Sequence, residues 1–237
     1  MFGILDKGVL RLGNSEIVIE DHGSSVLYRR IDLSANTTVQ EMIISKNVEL
    51  RLTPIYPVFY PRFVTQYMLC LLDKAITLAP GESVDVYASI PIDVAVYAYT
   101  PQSFRILDIV PLHSEAKYVL YGSIDSGIVA RLCTTSIHIS MPPTRLGYAI
   151  SRLVIRNGIG KIVSVTRILL DASPLRLYYR PGTWEAYTQT IYMNIVSDTI
   201  AIISYGTPFV EGVEPIDDPD SLRPPRIYNR TEMLQGY

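Results

Sequence analysis

Apolar and polar residues alternate over short segments along most of the chain, and turn residues separate one segment from the next. Alternation with a period of two residues is typical of half-buried β-strands, whereas amphipathic helices repeat every 3.6 residues. No segment sustains the helical period, and only Val39–Ile44 fits a short helix as well as a strand. The pattern predicts an all-β protein, built as one large antiparallel β-sandwich or as two packed β-sandwich sub-domains.

Turn residues indicate how some of the predicted strands connect. Pro80-Gly81 fits the middle of a type II turn, where glycine supplies the positive φ. Asn157-Gly158 is a strong hairpin signal and predicts that Tyr148–Ile155 pairs with Ile162–Leu170. The predicted strands are Val9–Leu12, Glu16–Glu20, Val26–Ile31, Val48–Thr53, Thr65–Leu72, Ala75–Leu78, Ser83–Ile90, Asp93–Tyr99, Tyr118–Tyr121, Ile128–Cys133, Ser136–Ser140, Tyr148–Ile155, Ile162–Leu170, Leu175–Tyr179, Tyr187–Val196 and Thr199–Ser204.

The regular alternation lapses between Thr100 and Ala116, which predicts a boundary in the chain there. We therefore divide the sequence into an N-terminal β-sandwich sub-domain at residues 1–105, a C-terminal one at residues 106–206, and an extended tail at residues 207–237. One large sandwich is the alternative. The tail holds five prolines and the acidic run Glu211–Asp220. Proline lacks an amide donor, so we expect neither sheet nor sustained helix in the tail.

Composition narrows the class of protein. Of the 237 residues 48% are hydrophobic and 19% are charged, which is enough apolar material for a full core and excludes global disorder. No apolar run approaches the ~18–20 residues that span a bilayer, and the N-terminus lacks the basic segment of a signal peptide. These features predict a cytoplasmic protein. Cys70 and Cys133 are then expected to be buried free thiols, with a single long-range disulfide as the alternative.

Charge is unevenly distributed although the net charge is only −2. Residues 131–180 carry eight Lys or Arg residues and one acid, whereas the segments before and after this basic block are both acidic. Strand periodicity places Arg152 and Arg156 on one face of their strand, and Arg176 and Arg180 on one face of another. Val154 shares the first face and Tyr178 the second. If the two strands are neighbours, four guanidinium groups and a tyrosine line one surface.

Three interpretations of these arginines stay open. A solvated face paired with acids elsewhere in the chain is the simplest, and a protein-binding surface that accepts the acidic tail is the second. The third is a site for a small anionic ligand, because arginine forks match carboxylate and phosphate. A sequence pI of about 5.9 argues against nucleic acid as the partner. The candidate apolar anchors of the tail are Phe209, Val213 and Ile216, followed by Leu222 and Ile227.

No motif indicates catalysis or metal binding. The three histidines, His22, His113 and His138, lack metal-ligand spacing, and neither a nucleophile elbow nor a phosphate-binding loop is present. The acidic run lacks EF-hand spacing. We therefore predict no catalytic residue, no metal and no cofactor, and expect the protein not to be an enzyme.

Several strings, in order, resemble the archaeal domain-of-unknown-function 432 family. The most specific are Lys117-Tyr-Val-Leu-Tyr-Gly122 followed by Gly127-Ile-Val-Ala-Arg131, which match the family's paired K-Y-x-L-Y-G and G-x-I-x-R strands. The resemblance runs from residue 1 to about 206. It departs from the family at Leu132-Cys133, and the acidic tail looks like an addition. The other matching strings are Met1-Phe-Gly3, Tyr28-Arg29-Arg30, the prolines 54, 57 and 61, Pro80-Gly81-Glu82, Val96-Tyr97, Leu153–Asn157, Val165–Ile168 and Tyr178-Tyr179.

The resemblance implies an archaeal, cytoplasmic, β-rich protein and brings no known activity. It also implies an association with membrane-channel genes, and so peripheral contact with a membrane-associated complex.

Three hypotheses about function follow. The first is a non-enzymatic β-sandwich interaction module that binds a protein or associates with itself. The second is a binding protein for a small anionic ligand or carbohydrate. The third is a hydrolase whose site residues are dispersed along the chain. In the resembling strings we expect a structural role, with Arg131 anchoring a carboxylate or a backbone carbonyl.

Overall fold

A computed structural model describes residues 1–60, 64–113 and 116–216, and almost all regular structure in them is β-strand. The all-β prediction is confirmed. A single 3₁₀ turn, Pro57–Phe59, is the one helical element in these ranges. The strands are β1 (Gly3–Ile4), β2 (Gly8–Leu12), β3 (Ser15–Asp21), β4 (Ser25–Asp32), β5 (Thr37–Ser45), β6 (Glu49–Ile55), β7 (Tyr67–Leu78), β8 (Ser83–Pro91), β9 (Asp93–Thr100), β10 (Ser103–Val110), β11 (Tyr118–Tyr121), β12 (Ile128–His138), β13 (Tyr148–Asn157), β14 (Val163–Asp171), β15 (Leu177–Tyr179), β16 (Ala186–Ile195), β17 (Ala201–Pro208) and β18 (Glu214–Pro215).

The strands form three sheets. The N-terminal sheet is the meander β2–β3–β4–β5, and the central sheet has the order β1–β6–β9–β10. The large sheet has the order β14–β7–β12–β8–β13–β16–β15–β18, with β11 added to β12 and β17 added to β16. Most neighbours are antiparallel, but β12 runs parallel to β7 and β13 runs parallel to β16. The large sheet is therefore mixed, whereas the N-terminal and central sheets are purely antiparallel.

The inner faces of the three sheets share one hydrophobic core. Period-two alternation produces it in the outer strands, so that β3 buries Ile17 and Ile19 and exposes more of the residues between them. β9 instead buries every position from Asp93 to Tyr97, because it lies inside the molecule with structure on both faces. Each buried Ile or Leu side chain contributes about 1.5–3 kcal/mol relative to an exposed one, so this core supplies most of the stability.

A buried ionic cluster joins the N-terminal sheet to the central sheet. The carboxylate of Asp108 in β10 accepts hydrogen bonds from Arg30 Nε at 2.7 Å and Arg30 Nη2 at 3.1 Å. The hydroxyl of Tyr28, also in β4, donates to the same carboxylate at 2.8 Å. All three residues are buried. The geometry is that of an arginine fork, with the phenol satisfying a further carboxylate lone pair.

The Asn157-Gly158 prediction is wrong. β13 pairs with β8 and β16, whereas β14 pairs with β7, so the two strands on either side of this dipeptide are not a hairpin. The buried Asn157 side chain explains the connection. Its amide nitrogen lies within hydrogen-bond distance of the carbonyl oxygens of Leu78, Ala79 and Lys161, at 2.8–3.1 Å. Asn157 therefore fastens the crossover to the end of β7.

Two further local predictions can be compared with the structure. The segment Val39–Ile44 lies within β5 and is a strand, not a helix. The predicted turn at Pro80-Gly81 is present, since Glu82 N donates to Ala79 O at 3.2 Å and Gly81 has φ of 77°. These values are those of a type II turn.

Pairing crosses the predicted boundary between residues 105 and 106. β10 runs through it, and β7 and β8 pair with β12, β13 and β14 in the large sheet. The predicted sub-domains thus do not correspond to separate sheets.

Cys70 and Cys133 are Cα partners on β7 and β12, and both are buried free thiols. Within the described ranges no helix is long and apolar enough to cross a bilayer.

Candidate functional site

The predicted arginines lie on two strands of the large sheet that are not neighbours. Arg152, Val154 and Arg156 share the outward face of β13, as the period-two pattern requires. β16 lies between β13 and β15, so the arrangement in which the two basic strands are adjacent is wrong. Arg176 and Arg180 fall just outside the two ends of β15, with Tyr178 half-buried between them.

Two of these four guanidinium groups already have acidic partners. Arg152 binds Asp85 of β8 through a fork that includes Nε at 3.0 Å, and this hydrogen bond raises the pKa of Arg152. Arg180 Nε donates to Glu185 at 2.9 Å. Arg156 and Arg176 are exposed and have no ion-pair partner among the residues that the structure describes. The four arginines therefore do not form one surface, and within the described ranges only Arg156 and Arg176 of the four lack an ion-pair partner.

The other members of the basic block lie on different elements. Arg145 stacks over the Tyr148 ring at 3.9 Å, and Lys161 pairs with Asp198 at 2.6 Å. Arg167 lies over Tyr121 at 5.7 Å. The block in sequence is consequently not one basic surface in the fold.

The beginning of the tail lies against its own chain. The Phe209 ring packs between Tyr87 and Tyr187, with ring centroids 5.8 Å and 6.0 Å apart. β18 adds two residues to the free edge of β15, which corrects the expectation that the tail forms no sheet.

Of the predicted anchors, Ile216 packs against the core and its amide donates to Leu177 O at 3.1 Å. Val213 is half-buried. Arg180 Nη2 also reaches Glu211 O at 3.3 Å, which brings a predicted basic residue to the tail. Leu222 and Ile227 lie outside the described residues.

The outward side of β8, β13, β16 and β17 forms one continuous surface, which we call the outer face. The register places Tyr192 beside Val154, Asn194 beside Arg156, and Ile202 beside Asn194. Tyr192 is 46% exposed and Ile202 is 59% exposed. The outer face consists of Ser83, Asp85, Tyr87, Arg152, Val154, Arg156, Tyr192, Asn194, Ile202 and Ser204.

The edge of this surface is β17, which pairs with β16 on one side only in the described chain. Its eight residues, Ala201–Pro208, include no charged side chain. Among the edge strands of the described residues it is the longest without a charge, since β2, β5, β10 and β14 each carry at least one. Unprotected edges of this kind are templates for pairing with another strand.

A second cluster, which we call the polar cleft, lies elsewhere in the large sheet. It has a volume of about 270 Å³. Arg131 contributes to its wall, and its Nη1 donates to the carbonyl oxygens of Pro57 and Tyr60, the latter at 2.6 Å. Sequence reasoning anticipated a carbonyl as one partner of Arg131 but missed the cleft. Its residues come from separate segments of the chain, so no local motif marks it. The cleft is lined by Pro57, Pro91, His113, Lys117, Arg131, Leu132, Cys133, Thr134 and Tyr148.

A family model described as "Protein of unknown function (DUF432)" matches residues 1–235. The chain belongs to this family. No curated protein and no solved structure matches the chain.

The extent of the DUF432 match changes one expectation. It includes the tail almost to its end, so the tail belongs to the family pattern and is not an addition beyond residue 206. The strings that carried the resemblance also have a place in the fold. Lys117–Gly122 and Gly127–Arg131 contain the hairpin β11–β12, in which Tyr118 and Arg131 are Cα partners. The family description names no activity.

Proposed function

We propose that this DUF432 protein is a non-enzymatic assembly module that associates with a second copy of itself through the edge strand β17. The uncharged edge of β17 carries the proposal. Antiparallel pairing of β17 with its own copy is self-complementary, so it closes as a two-fold dimer rather than an open chain. Natural sheet edges are otherwise blunted by charge or proline, and in β17 proline stands only at the final position.

The side chains around β17 support an interface. Ile200, just before β17, and Ile202 are both more than half exposed. The Cα partner of Ile202 on β16 is Asn194, and Tyr192 is the next residue of β16 on the same face. Exposed aliphatic residues next to a tyrosine are typical of the apolar centre of a protein interface. Arg156 lies near this centre, since it is the β13 partner of Asn194, and it has no ion-pair partner in the part of the chain that the structure describes. The outer face thus combines apolar anchors with a polar rim.

The shape of the surface favours a protein over a small ligand at the predicted arginines. Arg152 and Arg156 lie on a sheet face, and Arg180 is held by Glu185 and the tail. Small-molecule sites are concave and bury most of the ligand, which an open sheet face does not do. The interaction hypothesis is therefore preferred over the ligand hypothesis at these residues. A cytoplasmic location, an archaeal origin and contact with a membrane-associated complex stay predictions from the sequence.

Light scattering with size separation tests the proposal. We expect the intact chain to have twice the mass of one chain at micromolar concentration. Ile202→Lys places a charge on the exposed side of β17 and should give the single-chain mass. Ile43→Lys is the matched control, because Ile43 is 78% exposed on the edge strand β5 and its replacement should leave the mass doubled.

Two results would overturn the proposal. One is a single-chain mass for the unchanged protein across the concentration range, which would assign the β17 edge to a different partner or to none. The other is an Ile202→Lys variant that keeps the doubled mass, which would place the interface elsewhere. Turnover of a hydrolase or phosphatase substrate by the purified protein, abolished by one substitution, would refute the non-enzymatic part.

A further inference from the structure

We infer that the polar cleft is a binding site for a small oxyanion, a carboxylate or a phosphate, held by Arg131 and Lys117. This site is independent of β17 and of the outer face. Among the residues that the structure describes, the lining of the cleft has two cationic side chains and no carboxylate. A volume of about 270 Å³ suits a ligand of modest size, since pockets for drug-sized molecules start at roughly 300 Å³.

Arg131 is positioned before any ligand binds. It is only 5% exposed, and both contacts of Nη1 are to backbone carbonyls of the 3₁₀ turn region, Pro57 and Tyr60. A guanidinium has five N–H donors, and in the described chain Nε and Nη2 of Arg131 have no hydrogen-bond partner. These two nitrogens form the fork that matches a carboxylate or a phosphate. Holding the group rigid in advance lowers the entropy cost of binding.

The charges around Arg131 leave room for an anion. Asp93 is fully buried behind the cleft, with Oδ1 accepting from Leu112 N at 2.9 Å and Oδ2 without a partner in the described residues. Burial raises the pKa of Asp93, and the positive charge of Arg131 opposes that shift. Even an ionised Asp93 neutralises only one cation. Lys117 is exposed at the cleft wall and has no ion pair among the described residues. A bound anion would therefore neutralise the positive charge that remains in the cleft.

An aromatic wall fixes the other side of the cleft. His113 Nε2 lies 2.8 Å from Gly147 O and therefore donates to it, which leaves Nδ1 as an acceptor when the ring is neutral. The His113 ring meets Tyr148 edge to face, with centroids 5.0 Å apart. Gly147 has φ of 88°, and a Cβ added there would come within 3.5 Å of the His113 ring. The hydrogen bond to Gly147 and the ring contact with Tyr148 thus hold the His113 ring in place, while the charge that attracts an anion comes from Arg131 and Lys117.

Calorimetric titration with inorganic phosphate and with a series of small mono-, di- and tricarboxylates tests the inference. We expect saturable binding of at least one anion, and the series identifies whether phosphate or carboxylate is preferred. Lys117→Gln should raise Kd at least fivefold. Lys161→Gln is the control, because Lys161 is also exposed but pairs with Asp198 away from the cleft, and Kd should stay within twofold.

A second measurement uses the unchanged chain and therefore needs no substitution in the cleft. Thermal unfolding of the unchanged chain is followed at rising concentrations of the anion. Binding to the folded chain should raise Tm as the anion concentration rises. Both measurements are repeated on Ile202→Lys, where anion binding should persist. The result for the cleft therefore does not depend on whether the chain associates through β17. No saturable binding of any anion in the series, or an unchanged Kd in Lys117→Gln, would overturn the inference.

Discussion

At the scale of single residues, burial determines how strongly an ion pair affects the stability of the fold. Arg30 and Asp108 have side chains only 7% exposed, whereas Arg152 and Asp85 are 39% and 45% exposed. Both pairs include an arginine fork. Taking a charge out of water is costly unless its partner stays in place, whereas an exposed pair is screened by solvent. Similar chemistry therefore has very different energetic consequences at these two sites.

We expect Asp108→Asn to lower the free energy of unfolding by about 3–5 kcal/mol, because Arg30 would keep a buried charge without its counter-charge. The new amide would also present donors to the Tyr28 hydroxyl and to Arg30 Nε. Asp85→Asn is the matched control, and an exposed pair of this kind contributes about 0–1 kcal/mol. Urea denaturation of both variants measures the difference. Equal losses would mean that the Asp108 cluster does not act as a buried pair.

For single residues, the sequence predicts the type of contact that a side chain makes but not the residue that it contacts. The carbonyl contacts of Arg131 and the shared face of Arg152 and Arg156 follow from donor chemistry and strand period. The Asp85 partner of Arg152 does not, because it depends on the register between β8 and β13. Register is set by long-range pairing, which one sequence does not contain.

At the scale of elements, two glycine-containing turn signals had opposite outcomes. Pro80-Gly81 forms the predicted turn because its geometry is complete within four residues. Asn157-Gly158 fails because the buried Asn157 amide is drawn to three carbonyls, two of them at the end of β7, and β13 and β14 separate to different partners. Local turn chemistry is thus predictable where no tertiary hydrogen bond competes with it.

Gly81→Ala should destabilise the protein by about 1–2 kcal/mol, the cost of placing an L-residue in the left-handed region. The cost is conformational, since a Cβ at Gly81 would meet nothing within 4 Å. Gly160→Ala is the matched control, because its Cβ also meets nothing within 4 Å and its φ is not left-handed. We expect its stability to stay within about 1 kcal/mol of the original or to rise. Thermal unfolding of both variants measures the contrast, and an equal loss in Gly160→Ala would contradict it.

At the scale of the whole molecule, the strand content could be predicted and the sheet assembly could not. Alternation identifies most strands, but it misses β1, β18 and the eight-residue β10, which lies where the regular alternation lapses. It also does not say that β12 pairs with β11, β7 and β8 at successive positions. The polar cleft exists because this branching brings Arg131 beside Pro57 and His113. Both the cleft and the outer face are consequences of topology, which is why the sequence identified some of their residues but neither surface.

Tyrosine burial gives a property of the whole fold that can be measured. The chain has seventeen tyrosines. Burial, together with nearby negative groups, raises the pKa of Tyr28 and Tyr56 far above the ordinary value, and raises the pKa of Tyr187 and Tyr205 to about 12. Below pH 10 these phenols are neutral in the folded and unfolded states alike. Above it the unfolded chain ionises first, so stability falls as pH rises from about 10 towards 12.

Tyr205→Phe measures how much of this loss of stability at alkaline pH comes from Tyr205. At pH 7 the variant should be less stable by about 0.5–1.5 kcal/mol, because the Tyr205 hydroxyl donates to Asp171 O at 3.1 Å and the hydrogen bond is lost. Between pH 10 and 12 the difference in free energy of unfolding between the two proteins should shrink. Only the original protein has a phenol at position 205 that ionises more readily in the unfolded chain than in the folded one. Urea denaturation at pH 7, 9, 10.5 and 11.5 follows the gap, and absorbance of ionised tyrosine at each pH monitors titration. A gap that stays constant over the series would show that Tyr205 ionises as readily in the folded chain as in the unfolded one.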